Sequence, residues 1–343
     1  MTVLVTGATG FVGGHCVREL LEHGHAVRAT VRDPERADVA HLRDVAERTG
    51  GALELVPATL DDDAGWPAAV DGCEYLWHVA SPAPIRMPRH EDELVRPAVD
   101  GTLRVLRAAA RAGVRRVVLT SSIDAIRFGH GDGPRTFTED DWSVPDGLDP
   151  YPKSKTLAER AAWDFVAGPE GRGVELATVE PGLVLGPLLH ARANVSVEIV
   201  RLLLTRAMPA VPRLGFTVVD ARDVAALHRL AMTTPAAAGN RYVAGGQPRW
   251  LGEIAAVVAR EYGPRGYRVP TRAMPGRLLR AAARVDRRLR SGLPLLDVPA
   301  LVSSAKAEGE LGWTARPADE AILAAAESLV SFGLVPRPRR GGG

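Results

Sequence analysis

The first 23 residues constrain the fold most, because a short β-branched strand leads through a glycine-rich turn into a helix. Residues 6–13 read Thr-Gly-Ala-Thr-Gly-Phe-Val-Gly. Gly7 permits a tight turn, Gly10 lets the main chain approach phosphate oxygens, and Gly13 lets the helix pack closely on the sheet. The first N–H groups of the helix, predicted over about 11–23, would face an anion. The spacing is wider than G-x-G-x-x-G, so the position between strand and helix, rather than the glycines alone, predicts a dinucleotide site.

Alternating apolar runs and helical patterns continue through the first half of the chain. Strands are predicted at 2–6, 25–31, 53–57, 74–80, 116–121 and 174–179, and helices at about 11–23, 37–49, 91–112 and 151–167. This order predicts an α/β fold with a Rossmann-type doubly wound parallel sheet. We expect a nucleotide-binding domain at 1–181, rejoined by 217–244, whose stretch 217–235 returns to the main sheet. Residues 182–333 should form mainly a smaller C-terminal substrate-binding lid, and 334–343 a disordered tail.

The composition is that of an ordinary globular protein and gives no sign of a nucleic-acid or membrane partner. The 343 residues are 46% hydrophobic and 24% charged, and the net charge is +2, which gives no electrostatic case for nucleic acid or a membrane surface. The two cysteines form neither a disulfide framework nor a metal-binding pattern, so no metal is expected. The first strand begins at residue 2, leaving no room for a signal peptide, and no run of 18 apolar residues occurs. The sequence therefore predicts a cytoplasmic protein.

Two segments carry candidate chemistry. Tyr151 and Lys155 are four residues apart at the start of a predicted helix, so both side chains lie on one face. A neighbouring ammonium favours the phenolate, and such a tyrosine can exchange a proton with a carbonyl or alcohol oxygen. Ser121 and Ser122 end a predicted strand, where the carboxyl edge of a parallel sheet faces the ligand crevice.

With these motifs in this order, the chain resembles the extended short-chain dehydrogenase/reductase family, within the NAD-dependent epimerase/dehydratase superfamily and its dihydroflavonol-reductase-like and aldehyde-reductase-like group. The resemblance runs from residue 2 to about 313. It implies that Tyr151 is the catalytic acid/base, that Lys155 lowers its pKa and holds the nicotinamide ribose, and that Ser122, rather than Ser121, is the catalytic serine. The implied cofactor contacts are Thr6, Gly7, Thr9, Gly10, Phe11, Val12, Gly13, Arg32, Leu60, Ala80, Ser81, Tyr151, Lys155, Pro181 and Gly182; candidate substrate contacts are Ser81, Pro82 and Asp124.

The residues after the second predicted strand bear on the choice of cofactor. NAD sites usually place an acidic residue there for the ribose 2′-hydroxyl, whereas NADP sites favour arginine. This chain has Val31, Arg32 and Asp33, and a guanidinium fork suits a 2′-phosphate. We therefore expect NADP, with NAD as the alternative; Asp33 could instead pair with Arg32.

The chain departs from the family pattern at Thr59, where an adenine-binding Asp is common, at Arg104, which replaces an Asn, and at Asp124, which is often a small residue. Asp124 could be a second acid/base near the substrate or a loop-stabilising aspartate. Two loops should line the substrate mouth: residues 86–90, with Arg86, Met87, Arg89 and His90, and residues 128–142. His78, Trp77 and Trp163 are expected to be core residues.

Three functions compete. The first is an NADPH-dependent reductase of a small-molecule ketone or aldehyde, acting as a monomer or homodimer. The second is a sugar-nucleotide epimerase or dehydratase that retains NAD, which Asp124 favours. The third is a non-catalytic NADP-binding regulatory protein, against which the intact Ser122, Tyr151 and Lys155 set argues.

Overall fold

A computed structural model of the chain describes residues 1–82, 90–131, 133, 135–192 and 194–338. The strands are β1 Thr2–Thr6, β2 Ala26–Val31, β3 Leu53–Pro57, β4 Tyr75–His78, β5 Arg116–Thr120, β6 Glu175–Pro181, β7 Leu183–Leu185, β8 Val211–Pro212, β9 Gly215–Asp220, β10 Asn240–Ala244, β11 Gln247–Trp250 and β12 Ala273–Met274. The α-helices are α1 Phe11–Glu22, α2 Ala40–Thr49, α3 Trp66–Val70, α4 Asp92–Ala112, α5 Pro150–Ala167, α6 Val195–Leu204, α7 Ala221–Thr233, α8 Leu251–Tyr262, α9 Gly276–Val285, α10 Ala305–Leu311 and α11 Ala318–Ser331.

Seven parallel strands form the main sheet, in the order β10-β6-β5-β4-β1-β2-β3. The chain runs outward from β1 to β3 and then returns to place β4 on the other side of β1. Ligands bind outside the carboxyl ends of the strands at such a reversal. The six predicted strands and four predicted helices of the first half all form, within a few residues of their expected ends, and the predicted doubly wound fold is confirmed.

Helices cover both faces of this sheet because its central strands are apolar on both sides. The side of Val3 and Val5 packs with Val17 and Leu20 of α1, and the side of Leu4 packs with Val105 of α4. The stripe of apolar residues on each helix therefore fixes which face it covers.

The second half builds a smaller sheet in the order β11-β9-β7, beside which α6, α8 and α11 share a separate apolar core. The predicted return of 217–235 to the main sheet is wrong for its strand. Residues 215–220 pair with Leu183–Leu185 and Gln247–Trp250 instead. The rest of the expected rejoining segment does return, since α7 packs against α1 and β10 pairs with β6.

The C-terminal segments also divide between the two cores. Ala307, Leu311 and Trp313 pack into the core of the main sheet, although the sequence placed them with the lid. Val335 is buried in the second core, so the tail predicted from residue 334 begins with a packed residue; residues 339–343 lie outside the described part. Within the described ranges, no helix is long and apolar enough to cross a membrane.

Candidate active site

The glycine turn after β1 has the geometry that a close phosphate contact needs. Gly7 has a φ of +71°, and its carbonyl accepts the amide of Gly10 at 2.8 Å. A Cβ on Gly13 would lie 2.1 Å from the Gly7 oxygen, so only glycine allows α1 to start this close to the turn. No acidic residue stands in the first turn of α1, which leaves its positive end uncompensated. Thr9 lies in the same turn, and Phe11 and Val12 are the first two residues of α1.

Thr6 joins the carboxyl ends of β1 and β4 beside this turn. Its hydroxyl accepts the amides of Val79 and Ala80 at 3.1 and 3.0 Å and lies 2.9 Å from Nδ1 of His78. A Cβ on Gly7 would meet the main chain of Ala80 at 2.9 Å. Ala80 therefore borders the turn, as expected of a cofactor contact, and Ser81 and Pro82 follow it half-buried.

His78 is a buried core histidine, as the sequence predicted. Burial, together with the positive charge of Lys155, lowers its pKa to about 3, so the ring is neutral at pH 7. Trp77 is fully buried and Trp163 packs against the core on the α4 side, which confirms both as packing residues.

Arg32 extends into solvent immediately after β2. Among the described residues its guanidinium has no hydrogen-bond or ion-pair partner. Asp33 does not pair with it: the Asp33 carboxylate accepts the amide of Glu35 at 2.9 Å and lies 3.7 Å from Nε of Arg36. The cation of Arg32 is thus available at the position where a ribose 2′-substituent would lie.

Two of the departures from the family pattern meet at the loop after β3: Thr59 lies in it, and Arg104 contacts it from α4. The carbonyl of Thr59 accepts the indole N–H of Trp66 at 2.8 Å. Arg104 donates to the carbonyl of Leu60 and pairs with Asp63. Arg104 therefore braces the loop that carries the predicted adenine-side contact Leu60, in the segment after β3.

The two serines after β5 differ in their hydrogen bonds. The Ser121 hydroxyl donates a hydrogen bond to the buried carboxylate of Glu159. Ser122 caps a short 3₁₀ turn, Ile123–Ala125, by accepting the amide of Asp124 at 3.1 Å. Because Ser122 only accepts in that bond, its own proton can be donated to a substrate oxygen. This geometry fits the prediction that Ser122, rather than Ser121, is the reacting serine.

Tyr151 lies in the first turn of α5, and Lys155 follows one turn later. Pro150 at the start of the helix has the φ that a first turn requires. The ammonium of Lys155 is 3.3 Å from the carbonyl of Thr120 at the end of β5. The helix thus brings this lysine to the sheet edge that carries the serines.

The electrostatics of this site differ from the sequence prediction. We expected Lys155 to lower the pKa of Tyr151, but burial raises that pKa above its ordinary value and the carboxylate of Asp124 raises it further. Burial also lowers the pKa of Lys155 to about 8, partly offset by Glu159 and Asp124. The phenol is therefore protonated at neutral pH, which is the form that can give a proton to a carbonyl oxygen.

Asp124 faces both of these groups and is paired with Arg127 at 3.5 Å. Burial raises the pKa of the Asp124 carboxyl, and the Arg127 guanidinium opposes that rise. The Asp124 amide donates to the Ser122 hydroxyl in the local turn, and the Asp124 carboxylate raises the pKa of Tyr151. The sequence alternatives, a second acid/base or a loop-stabilising aspartate, both stay predictions.

Pro181 ends β6 beside β10, and Gly182 follows it. The amide of Gly182 donates to the carbonyl of Ala244 at 3.2 Å, and a Cβ on Gly182 would lie 2.3 Å from the carbonyl of Thr217. Gly182 is therefore required for the chain to pass from the main sheet into the smaller one. Of the loops expected at the substrate mouth, Arg86, Met87 and Arg89 lie outside the described residues, whereas His90 is exposed before α4.

The sequence analysis missed Glu159 and Arg241. Glu159 is one helical turn after Lys155, and its carboxylate is 2.7 Å from Nε of Arg241 on β10. A glutamate in the middle of the apolar face of a predicted helix was the available signal for the first. The second comes from a strand more than 80 residues away, so no local pattern connects the two.

Comparison with known proteins adds sequence and structural relatives. The model of the NAD dependent epimerase/dehydratase family matches residues 3–245. Cinnamoyl-CoA reductase 1 of Arabidopsis thaliana is 37% identical over 278 residues, which cover 79% of this chain and 77% of the relative. Anthocyanidin reductase ((2S)-flavan-3-ol-forming) of Vitis vinifera is 33% identical over 288 residues, which cover 79% and 83%. The solved structure of yeast methylglyoxal/isovaleraldehyde reductase Gre2 complexed with NADPH aligns with a TM-score of 0.78 and 26% identity, covering 97% of this chain and 99% of that one.

Proposed function

The chain belongs to the NAD dependent epimerase/dehydratase family, and from that premise we propose that it is an NADPH-dependent reductase of a small-molecule carbonyl compound. The membership agrees with the resemblance inferred from the sequence. The named relatives are reductases, and one structural neighbour was solved with NADPH. The observation that carries the proposal is that Lys155, one helical turn after Tyr151 on α5, lies 3.3 Å from the carbonyl of Thr120 at the carboxyl end of β5, next to the segment that carries Ser122.

The residues present fit a bound dinucleotide. The turn at Gly7 and the start of α1 form a cradle that a side chain at Gly13 would fill, and N–H groups without an acidic neighbour face it. Arg32, whose guanidinium has no ion-pair partner among the described residues, supplies a cation for a 2′-phosphate, which favours NADP over NAD. Beside the turn, Thr6 at the end of β1 accepts the amide of Ala80, which follows β4. We propose that Pro181 and Gly182, at the end of β6, border the nicotinamide, as the family resemblance implies.

When bound, the nicotinamide supplies a hydride to the carbonyl carbon. The side chains of the protein position the substrate and supply the proton. Ser122 donates a hydrogen bond to the carbonyl oxygen and fixes its position, and the Tyr151 phenol transfers one proton to that oxygen as negative charge develops on it. Lys155, in its ammonium form, stabilises the phenolate that remains and is placed to hold the ribose. A protonated Tyr151 is the form that carbonyl reduction needs at its start, and the same group accepts the proton when the alcohol is oxidised.

Turnover of NADPH with a panel of aldehydes, ketones and acyl-CoA thioesters tests this function. These compound classes are chosen from the names of the relatives. The reverse reaction is measured with the corresponding alcohols and NADP⁺. Tyr151→Phe should lower kcat by about 10²–10⁴-fold, the usual contribution of a general acid. Tyr75→Phe is the matched control, since Tyr75 begins β4 at the opposite edge of the sheet and its hydroxyl contacts Arg115.

Full NADPH turnover by the Tyr151→Phe variant on a confirmed substrate contradicts the assigned mechanism. Tightly held NAD that co-purifies with the chain, without NADPH turnover, would favour the sugar-nucleotide alternative. NADPH binding without turnover across the panel would favour the regulatory alternative.

A further inference from the structure

A cluster of buried ionisable side chains lies behind the serine-bearing end of β5. Its members are Glu139, Glu159, Glu180 and Arg241, all less than one-tenth exposed. Nε of Arg241 lies 2.7 Å from Glu159 and 3.8 Å from Glu180, and its Nη1 donates to the carbonyls of Glu139 and Asp141 at 2.5 and 2.7 Å. Burying several carboxylates together is costly unless each is compensated.

The hydrogen-bond donors around the two central carboxyl groups are unequal. Glu159 receives bonds from Ser121 Oγ, from Arg241 Nε, and from the indole N–H of Trp163 at 3.2 Å. Glu180 contacts the hydroxyl of Thr178 through Oε1, while its buried Oε2 has no partner among the described residues. A carboxylate with several donors favours ionisation, whereas a buried oxygen without a donor favours the protonated form.

The hydroxyl of Thr178 lies near both carboxyl groups and bears on which of them is protonated. Its hydroxyl contacts Glu180 and also lies 3.5 Å from Oε1 of Glu159, yet a hydroxyl has one proton to donate. If Glu180 is protonated, it donates to the oxygen of Thr178, and the proton of Thr178 points to Glu159. Burial and the neighbouring charge of Glu159 both raise the pKa of Glu180, in agreement with this arrangement.

We propose that Glu159 is the ionised and Glu180 the protonated member of this pair, and that Glu159 is a positioning residue that holds Ser121 and keeps Lys155 in its ammonium form. Glu159 follows Lys155 by four residues on α5, so the two side chains are neighbours on one helix face. Arg241, held by Glu159, fixes residues 139–141 of the loop that leads to α5. The cluster thus connects the serine segment, the lysine and the loop before the tyrosine.

Several other charged or titratable groups face Lys155. Asp124, from the turn after β5, adds a second negative charge, and His78 on β4 is neutral at pH 7. Burial pulls the pKa of Lys155 down to about 8, where a single neighbouring charge decides how much of the amine is protonated. Of the two carboxylates that raise the pKa of Lys155, Glu159 has the larger effect, so its removal should shift the titration of this lysine.

The composition of the chain makes this measurement direct. The sequence contains three lysines, Lys153, Lys155 and Lys306, so ¹³C-lysine labelling gives three side-chain signals. Lys153 pairs with Glu91, and Lys306 contacts Asn240; both serve as internal references. Lys155→Arg identifies the third signal by its absence.

In the wild-type chain the Lys155 signal should titrate near pH 8. Glu159→Gln should move this midpoint down by roughly one to three pH units. Glu159→Asp, which keeps the charge, should restore part of the shift. Glu180→Gln is the matched control at the neighbouring carboxyl: it should leave the midpoint and the melting temperature near wild type, because it replaces a neutral group with a neutral group of similar shape.

An unmoved Lys155 midpoint in Glu159→Gln, or an equal shift in Glu180→Gln, overturns the proposal. The infrared C=O band of a protonated carboxyl at neutral pH should be present in the wild type and lost in Glu180→Gln; a band that persists places the proton elsewhere and also overturns it. If Glu159→Gln does not fold, the melting temperature and infrared band of Glu180→Gln still decide which member is protonated.

The catalytic meaning of this cluster rests on the proposed reductase function, but the titrations do not. Loss of turnover in Tyr151→Phe with no effect of Glu159 on Lys155 would leave the reductase intact and remove the positioning role. If Glu159→Gln shifts the Lys155 midpoint but the chain reduces no carbonyl compound, the effect of Glu159 on Lys155 stands and the reductase function is lost.

Discussion

Replacing Arg32 with glutamine should weaken NADPH binding selectively. The guanidinium is exposed and has no ion-pair partner among the described residues, so the substitution breaks no internal bond. A hydrogen bond to a charged group contributes about 1.5–3 kcal/mol. Losing that contribution to a 2′-phosphate raises the Kd for NADPH by roughly ten- to a hundredfold. NADH lacks the phosphate, so its Kd should change by less than about twofold.

Titration calorimetry with both dinucleotides, for the wild type and the variant, measures this difference. Arg36→Gln is the matched control, because it removes the same charge four residues away, where the side chain is 89% exposed and lies 3.7 Å from Asp33. Raising the salt concentration should reduce the wild-type preference for NADPH, since an exposed charge pair is screened. Equal weakening of NADPH and NADH in Arg32→Gln, or an equal effect of Arg36→Gln, would refute the assignment of the 2′-phosphate to Arg32.

Three further predictions concern the reaction site. Gly13→Ala should lower both the melting temperature and the affinity for NADPH, because the new Cβ would lie 2.1 Å from the oxygen of Gly7 and overpacking of this kind costs about 1–3 kcal/mol; a variant with wild-type melting and binding would contradict the close contact. Ser122→Ala should reduce kcat by about 10²-fold with a smaller effect on KM, measured by steady-state kinetics, as expected for a donor to developing negative charge. Asp124→Asn should lower the pKa of Tyr151 by removing the charge that raises it, so the alkaline loss of reductase activity should begin at lower pH; a pH profile with an unmoved alkaline limb argues against this electrostatic role.

The first half of the fold follows from sequence because its signals are local. Each of β1, β2, β4 and β5 is a short apolar run followed by a predicted helix with its own apolar stripe and end signals; the short helix α3 after β3 was not predicted. Parallel strands joined by helices pack in few ways, so the order of elements fixes the architecture. The positions of Gly7, Gly13, Tyr151 and Lys155 on turn and helix were predictable for the same reason.

The second half depended on contacts between distant segments. Residues 215–220 read as another strand of the main sheet, but their partners are Leu183–Leu185 and Gln247–Trp250, and sequence alone does not say which of two sheets an apolar strand joins. The packing of Trp313 in the main core was unpredictable for a similar reason. An apolar side chain indicates that it will be buried, but the sequence does not show which residues it will pack against.

The protonation states at the site were decided entirely by tertiary structure. Spacing brought Tyr151 and Lys155 onto one helix face and suggested a lowered pKa for the phenol, whereas burial and the carboxylate of Asp124 raise it. The pairing of Glu159 with Arg241 joins residues from helix α5 and the edge strand β10 of the main sheet. The sequence determines which ionisable groups exist and what local element carries each one; the free energy of their charged forms depends on burial and on neighbours that only the folded chain brings together.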